Sequence, residues 1–168
     1  RPNGNKTSCD NVICGPGTRL NGSSCTPCGS GKISTGSHNT SCTPCPAGTY
    51  KTNNTTCTPC PAGTFTSTSG NQSCTPCPSG KYASGAGNTS CSTCPDGKEP
   101  KSDKTGCKLC HIGTAGTGGS CTPCPPGKFM NNLLGQTKVC ADCPAGSIAP
   151  YQGTVRCDYC RGGQITNG

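Results

Sequence analysis

The sequence predicts a small disulfide-rich β protein: an elongated, solenoid-like array of short irregular β-hairpin units joined by a disulfide ladder, with little helix. Three observations predict it: a paired-cysteine motif at near-fixed spacing, a turn glycine in phase with it, and a shortage of side chains able to build a core. The 168 residues include 20 Cys, 26 Gly and 16 Pro, but no Trp, one Met, four Tyr and two Phe. Apolar residues, cysteines included, make up only 28%, too few for the single large core of an ordinary domain of this length.

The cysteines set the repeat. Nine C-x-x-C pairs occur, at Cys25/Cys28, Cys42/Cys45, Cys57/Cys60, Cys74/Cys77, Cys91/Cys94, Cys107/Cys110, Cys121/Cys124, Cys140/Cys143 and Cys157/Cys160, and successive pairs start 14 to 19 residues apart. Cys9 and Cys14 precede them with a wider gap. The chain therefore divides into a partial first unit (1–24), tandem C-x-x-C-P-x-G repeats (25–160) and the start of an interrupted further unit (161–168).

The turn comes next. Each second cysteine is followed three residues later by glycine, from Gly31 to Gly163, and Cys14 obeys the same rule with Gly17. The usual form is C-P-x-G, as in "CPAG" at Cys45, Cys60 and Cys143. Proline suits the second position of a turn, and glycine supplies a backbone conformation with φ > 0.

Short strands flank the turn. Segments such as "TYKT", "TFTS" and "KYAS" alternate as half-buried strands do, and "GNQSC" or "GNTSC" brings the chain back. Two residues past the glycine, six units carry one large apolar side chain: Ile33, Tyr50, Phe65, Tyr82, Phe129 and Ile148. This side chain is expected to be each unit's miniature core. An isolated two-stranded hairpin is marginal in water, so each unit must lean on its neighbours.

C-x-x-C at this spacing fits either zinc or disulfides. Two pairs give the four thiolates of a zinc ribbon. Zinc knuckles tend to place glycine directly after the second cysteine, which only "CTPCG" at Cys25–Gly29 does, whereas proline stands there in six units and removes an amide donor. Sequons favour the oxidising alternative. N-x-S/T occurs at Asn5, Asn21, Asn39, Asn53, Asn54, Asn71 and Asn88, each a candidate N-glycosylation site. Asn39, Asn54, Asn71 and Asn88 lie three residues before the first cysteine of a pair, a phase that would present sugars at equivalent points. Glycosylation implies the secretory pathway, where disulfides persist.

Sequence alone leaves connectivity open. A bond within each C-x-x-C makes a tight, readily reduced ring suited to redox enzymes. The economical alternative is a ladder: Cys14–Cys25, Cys28–Cys42, Cys45–Cys57, Cys60–Cys74, Cys77–Cys91, Cys94–Cys107, Cys110–Cys121, Cys124–Cys140 and Cys143–Cys157.

"CTPCPAGTYKTNNTTC" and "CTPCPSGKYASGAGNTSC" resemble the short cysteine-rich repeats of ephrin-receptor-like, or GCC2/GCC3, modules. Such repeats also occur in tandem in ciliate surface immobilisation antigens and in algal mastigoneme (flagellar-hair) proteins. The resemblance runs from Cys14 to Cys160 and weakens at "CGSG", "CHIG" and "CRGG", where the proline is lost. It implies the ladder bonding and an extracellular setting: secreted, on a cell or flagellar surface.

The ladder leaves Cys9 and Cys160 without partners inside it, and both are candidates for inter-chain or external bonds. Arg1 is not expected to start the translated protein, since neither an initiator Met nor an apolar signal segment is present. Expected partners are other copies of the chain or a longer array of the same repeats, and a head-to-tail contact would be non-closing and fibre-forming.

Other classes fit poorly. The 14 Lys and Arg behind the net charge of +8 are scattered, unlike the clustered footprint of nucleic-acid binding. No stretch approaches the ~20 apolar residues of a membrane span. Catalysis would need a free thiolate and a formed pocket. His111 beside Cys110 offers neither once the ladder takes that thiol, and the six acids have no calcium-loop spacing. No metal or cofactor is expected beyond covalent glycans. The sequence reads as a non-enzymatic structural glycoprotein of an extracellular fibre or surface coat. A receptor or adhesin ectodomain is second, with Met130, Leu133 and Leu134 as its apolar contact, and an intracellular zinc-binding module third.

Overall fold

The computed structural model describes residues 12–131 and 139–161. Asn5, Cys9, Leu133, Leu134 and the run 162–168 lie outside the described residues. Among those described there is no helix, and eighteen short strands form nine antiparallel hairpins of two consecutive strands each. The longer hairpins pair Thr18–Asn21 with Ser24–Pro27, Thr49–Asn53 with Thr56–Pro59, and Lys128–Asn131 with Val139–Asp142. Lys98–Pro100 pairs with Cys107–Leu109, and the other five hairpins have only two residues a strand. The first hairpin crosses residue 24, so the folded unit opens at Cys14, at the turn, and closes at the first cysteine of the following pair.

Each unit begins with the same turn, placed one residue later than the sequence suggests. The proline carbonyl accepts the N–H three residues on, as from Thr49 to Pro46 at 3.1 Å and Thr64 to Pro61 at 3.2 Å. Proline thus takes the first turn position, and glycine the third, where φ is +79° at Gly48 and +81° at Gly63, as a type II turn requires. Where threonine follows the glycine, its hydroxyl donates to the same carbonyl, at 2.7 Å in Thr49, Thr64 and Thr114.

The return strand stops where the sequence stops donating. In "CTPC" the proline faces the first strand residue (Thr18↔Pro27, Lys32↔Pro44, Thr49↔Pro59) and cannot extend the ladder of hydrogen bonds. The next cysteine then donates its N–H to the turn glycine's carbonyl, from Cys28 to Gly17 at 2.9 Å through Cys160 to Gly146 at 2.8 Å.

Nine disulfides close the hairpins, each joining the cysteine before a turn to the first cysteine of the next pair: Cys14–Cys25, Cys28–Cys42, Cys45–Cys57, Cys60–Cys74, Cys77–Cys91, Cys94–Cys107, Cys110–Cys121, Cys124–Cys140 and Cys143–Cys157. Their Cα separations are 5.4–5.8 Å across 11 to 16 residues of sequence. A loop of that size, once cross-linked, removes about 3 kcal/mol of unfolded-state chain entropy.

The core is sulfur and small side chains, and this corrects the expected aromatic core. The cysteines that open the Cys14, Cys28, Cys45, Cys60, Cys77, Cys94, Cys110 and Cys124 units are 0–5% exposed. The buried companion comes three residues past the turn glycine: Ser34, Thr66, Ala83, Met130 and Ala149. One residue earlier, Ile33, Tyr50, Phe65, Tyr82 and Phe129 are only half-buried and Ile148 is exposed. Adjacent strand residues face opposite sides. The side against the cystine takes Ser34 and Thr66, whose hydroxyls lie 3.5 Å from the Cys28 sulfur and 3.8 Å from the Cys60 sulfur, and in the Cys124 unit it takes Met130.

Units couple through backbone rather than through a shared sheet. Turn-glycine N–H groups donate to the following unit, Gly17 to Ser34, Gly63 to Ala83 and Gly127 to Ala149, each at 2.8 Å. Those small-residue positions donate onward: Ser34 to Asn54 at 3.1 Å, Thr66 to Asn88 at 3.2 Å and Ala83 to Lys104 at 3.0 Å. A third link runs back to the opening cysteine's carbonyl, from Gly70 to Cys45 and Gly87 to Cys60, both at 2.8 Å. The Lys51 ammonium makes this link to Cys28 at 3.0 Å, and the Lys104 ammonium makes it to Cys77.

Contact reaches the second neighbour as well. A Cβ on Gly31, Gly48, Gly63 or Gly113 would overlap the carbonyl oxygen of Gly70, Gly87, Asp103 or Gly153, two units further on. Gly127 has the same turn conformation, φ +80°, with nothing within 4 Å of that point. Both Gly63→Ala and Gly127→Ala incur the roughly 1–2 kcal/mol backbone cost of a left-handed conformation. Gly63→Ala adds the steric conflict, of the order of 1–3 kcal/mol for forced overpacking. Thermal melting of the oxidised chain should show the larger drop for Gly63→Ala; equal drops would refute the second-neighbour contact.

Candidate functional site

The ladder takes up the sulfur chemistry of the repeats. With Cys110 bonded to Cys121, the neighbouring His111 has no thiolate beside it, and its ring Nδ1 lies 3.0 Å from the Ile112 carbonyl. Cys160 is half-buried and carries no disulfide among the described residues, and its N–H is held by Gly146. No group of three or more His, Cys, Asp or Glu among the described residues is placed to hold a metal ion. Acidic side chains serve the hairpins instead: Glu99 pairs with Lys108 at 3.2 Å and Asp142 with Lys128 at 2.6 Å, each across one hairpin.

The sequons fall into two structural kinds. Asn21 and Asn53 end the first strand of hairpins with two-residue tips, facing Ser24 and Thr56, and both are exposed. The Asn53 Oδ1 accepts the Thr55 N–H at 2.9 Å and hydroxyl at 2.8 Å. Asn39, Asn71 and Asn88 instead close long loops and are half-buried. The Asn39 amide nitrogen donates to the Gly36 carbonyl at 2.5 Å and to Gly15 of the preceding unit at 3.1 Å. Asn71 donates to Thr68 at 2.5 Å, and Asn88 to Gly85 at 2.9 Å.

The backbone carbonyls of Asn39, Asn54, Asn71 and Asn88 all accept the inter-unit bond from the preceding unit, at 2.8–3.2 Å. The phase three residues before cysteine is thus the register of the inter-unit seam. Sequence reasoning read that phase as sugar presentation alone. Lys104 and Thr154 at the same spacing accept the same bond, and comparing them with the asparagines would have revealed the position's backbone role.

Asp103 repeats the Asn53 arrangement, its Oδ1 accepting the Thr105 N–H at 3.0 Å and hydroxyl at 2.9 Å. The Thr105 backbone N–H first, and its hydroxyl second, hold the Asp103 carboxyl below its usual 3.8. A depressed carboxylate contributes stability that is present above the unfolded value and lost as pH falls through the lower folded one.

Met130 is 8% exposed and packs with Ala115, Cys124 and Cys140. It is core, not the exposed contact expected of it. Large exposed apolar side chains gather instead in the Cys143 unit: Ile148, Tyr151 at 76%, Val155 and Tyr159 at 80%. Of these, Ile148 lines an open groove of about 640 Å³, formed by Gly127 and by Asp142 to Pro150.

Ladder, turn and seam bonds recur across residues 31–106, where the family described as "Tyrosine-protein kinase ephrin type A/B receptor-like" matches three overlapping times, at 31–73, 48–85 and 63–106. Over residues 31–106 the chain is similar to ephrin-receptor-like repeats. No curated protein matches the chain. Cysteine-rich ephrin-receptor-like repeats closed by a disulfide ladder make this an extracellular domain. No helix among the described residues is long and apolar enough to cross a membrane.

Two outcomes follow for these repeats. Ala83→Leu, which forces a large side chain into a position only 3% exposed, should cost about 1–3 kcal/mol in the thermal stability of the oxidised chain. Asp103→Asn keeps the oxygen acceptor while removing the titration. It should lower neutral-pH stability slightly, because a neutral acceptor replaces the charged one, and reduce the further loss seen in melts below the ordinary carboxylate range; an unchanged acid profile would contradict the assigned role.

Proposed function

We propose that this chain is a non-enzymatic structural glycoprotein of an extracellular fibre or cell-surface coat, a disulfide-laddered rod that polymerises head to tail. The observation that carries this reading is the continuity of the coupling: each unit, closed by its own disulfide, is bonded through backbone to the next unit and packed against the one after. Each unit spends its turn glycine, its small core residue and its loop carbonyl on holding neighbours. Its partners are other copies of itself or a longer array of the same repeats, with Cys9 and Cys160 bonding outside the ladder. It uses no cofactor other than covalent glycans. A flagellar surface is one setting for such a fibre.

A second reading, a receptor or adhesin ectodomain, is favoured by one observation, the exposed Ile148, Tyr151, Val155 and Tyr159 in the Cys143 unit. On that reading the other repeats are a stalk and this unit makes the contact. Negative-stain images of native material decide between them. Filaments with an axial repeat are expected for the fibre, and discrete rods that stay monomeric at high concentration would overturn it in favour of the ectodomain.

A further inference from the structure

The sequons are not equivalent, and the difference lies in what each amide nitrogen already does. N-glycosylation converts the side-chain nitrogen itself. The Asn Nδ2 attacks the anomeric carbon of a sugar carried on a lipid pyrophosphate, and an N–C bond forms. The C–O bond to pyrophosphate breaks, the lipid pyrophosphate leaves with the electron pair, and one amide proton passes to base. The product keeps one N–H and gains a bulky substituent in the other direction.

At Asn39, Asn71 and Asn88 the amide nitrogen is already engaged. The Asn39 nitrogen is committed to Gly36 at 2.5 Å and, across the seam, to Gly15 at 3.1 Å and Cys14 at 3.4 Å. Asn71 turns its nitrogen into its own loop, toward the Thr68 carbonyl at 2.5 Å and hydroxyl at 3.2 Å. Asn88 does the same with Gly85 at 2.9 Å and Ser84 at 3.3 Å. A sugar there would replace a loop-closing donor and occupy the carbonyl's place, in the loop that the unit's disulfide must close. Asn54 is exposed like Asn53, and what sets it apart is its backbone rather than its amide nitrogen: its carbonyl accepts from Ser34 at 3.1 Å, and its Cβ lies 2.7 Å from where Gly17, two units back, would carry one.

The hairpin tips are the opposite case. Asn53 is exposed, and its oxygen alone is engaged, by Thr55 of its own sequon. Asn21 occupies the matching place before the Gly22 turn, facing Ser24, and is exposed. Both stand four residues before cysteine, one residue off the seam register.

We infer that N-linked sugar in the folded chain is carried at the hairpin tips, on Asn21 and Asn53, and that Asn39, Asn54, Asn71 and Asn88 remain unmodified as seam and loop-closing residues. This rests on the extracellular glycoprotein reading and deepens it, because it assigns the acceptors. It also makes Asp103 a latent acceptor. Asp103 holds Thr105 as Asn53 holds Thr55, and Asp103→Asn completes the sequon with Lys104 and Thr105.

The test uses the full chain and its Asp103→Asn variant, secreted from a eukaryotic host. A glycan-cleaving amidase in heavy-oxygen water turns each sugar-bearing Asn into an isotopically marked Asp, and fragmentation spectra separate Asn53 from Asn54. Marks on Asn21 and Asn53, with a further mark at position 103 in the variant, are expected. A mark on Asn39, Asn54, Asn71 or Asn88 overturns the assignment while leaving the glycoprotein reading standing. Marked tips with position 103 bare overturn the rule that the tip geometry selects acceptors. No mark anywhere overturns both readings.

Discussion

The disulfide that closes each hairpin is the constraint from which the other features follow. A unit of this size has no apolar surplus, so the bonded sulfur is its interior, and the cysteine before the turn is nearly or fully buried in eight units. A buried cystine fixes what can surround it. The strand residue facing it is small in most units, as at Ser34, Thr66, Ala83 and Ala149. Two of these are polar and are satisfied within the seam: the Ser34 hydroxyl donates to the Thr18 carbonyl at 2.9 Å, and the Thr66 hydroxyl accepts the Gly48 N–H at 2.8 Å. No buried side-chain nitrogen or oxygen among the described residues lacks a partner.

With side chains so scarce, backbone meets backbone. In most repeat arrays each unit touches only its immediate neighbours. Here glycine lets the turn of one unit meet the loop carbonyl of the second unit along, at Gly31 with Gly70 and Gly113 with Gly153. Stability is therefore shared across three units at a time, and a fault in one turn is felt on both sides. The same arrangement tolerates unequal repeats. Seam carbonyls are counted back from the closing cysteine, and the same bond forms with Asn54 in a separation of 12, Lys104 in one of 13 and Asn71 in one of 14.

The parts legible in the sequence were those whose chemistry admits few alternatives. Cysteine spacing and the glycine at its fixed offset point to hairpins and turns, since only glycine takes φ near +80° cheaply. The proline's place was misread by one residue, because proline fits the first as well as the second turn position and only the carbonyl's partner decides. The core column was missed for a related reason. Tyr50, Phe65 and Tyr82 stand out as large, whereas Ser34, Thr66 and Ala83 share a position but no residue type. Their common property is volume, which emerges only when the cystine's clearance is known. The asparagine phase matches a sequon and also places a seam carbonyl, and a sequence shows only the first.

The proposed mechanical role rests on the load path. Tension along the chain enters a unit at one cysteine and leaves through its disulfide partner, so the loop between them bears none of it. Only the two residues inside each C-x-x-C lie in series with the sulfurs. At ~3.3–3.6 Å per extended residue, a loop of 11 to 16 residues withholds on the order of 40–50 Å of contour in every unit. Seam bonds can break and reform under load without releasing that length. An array built this way resists extension by covalent topology rather than by core stability. A chain with almost no core can supply this property, and a filament or a surface stalk requires it.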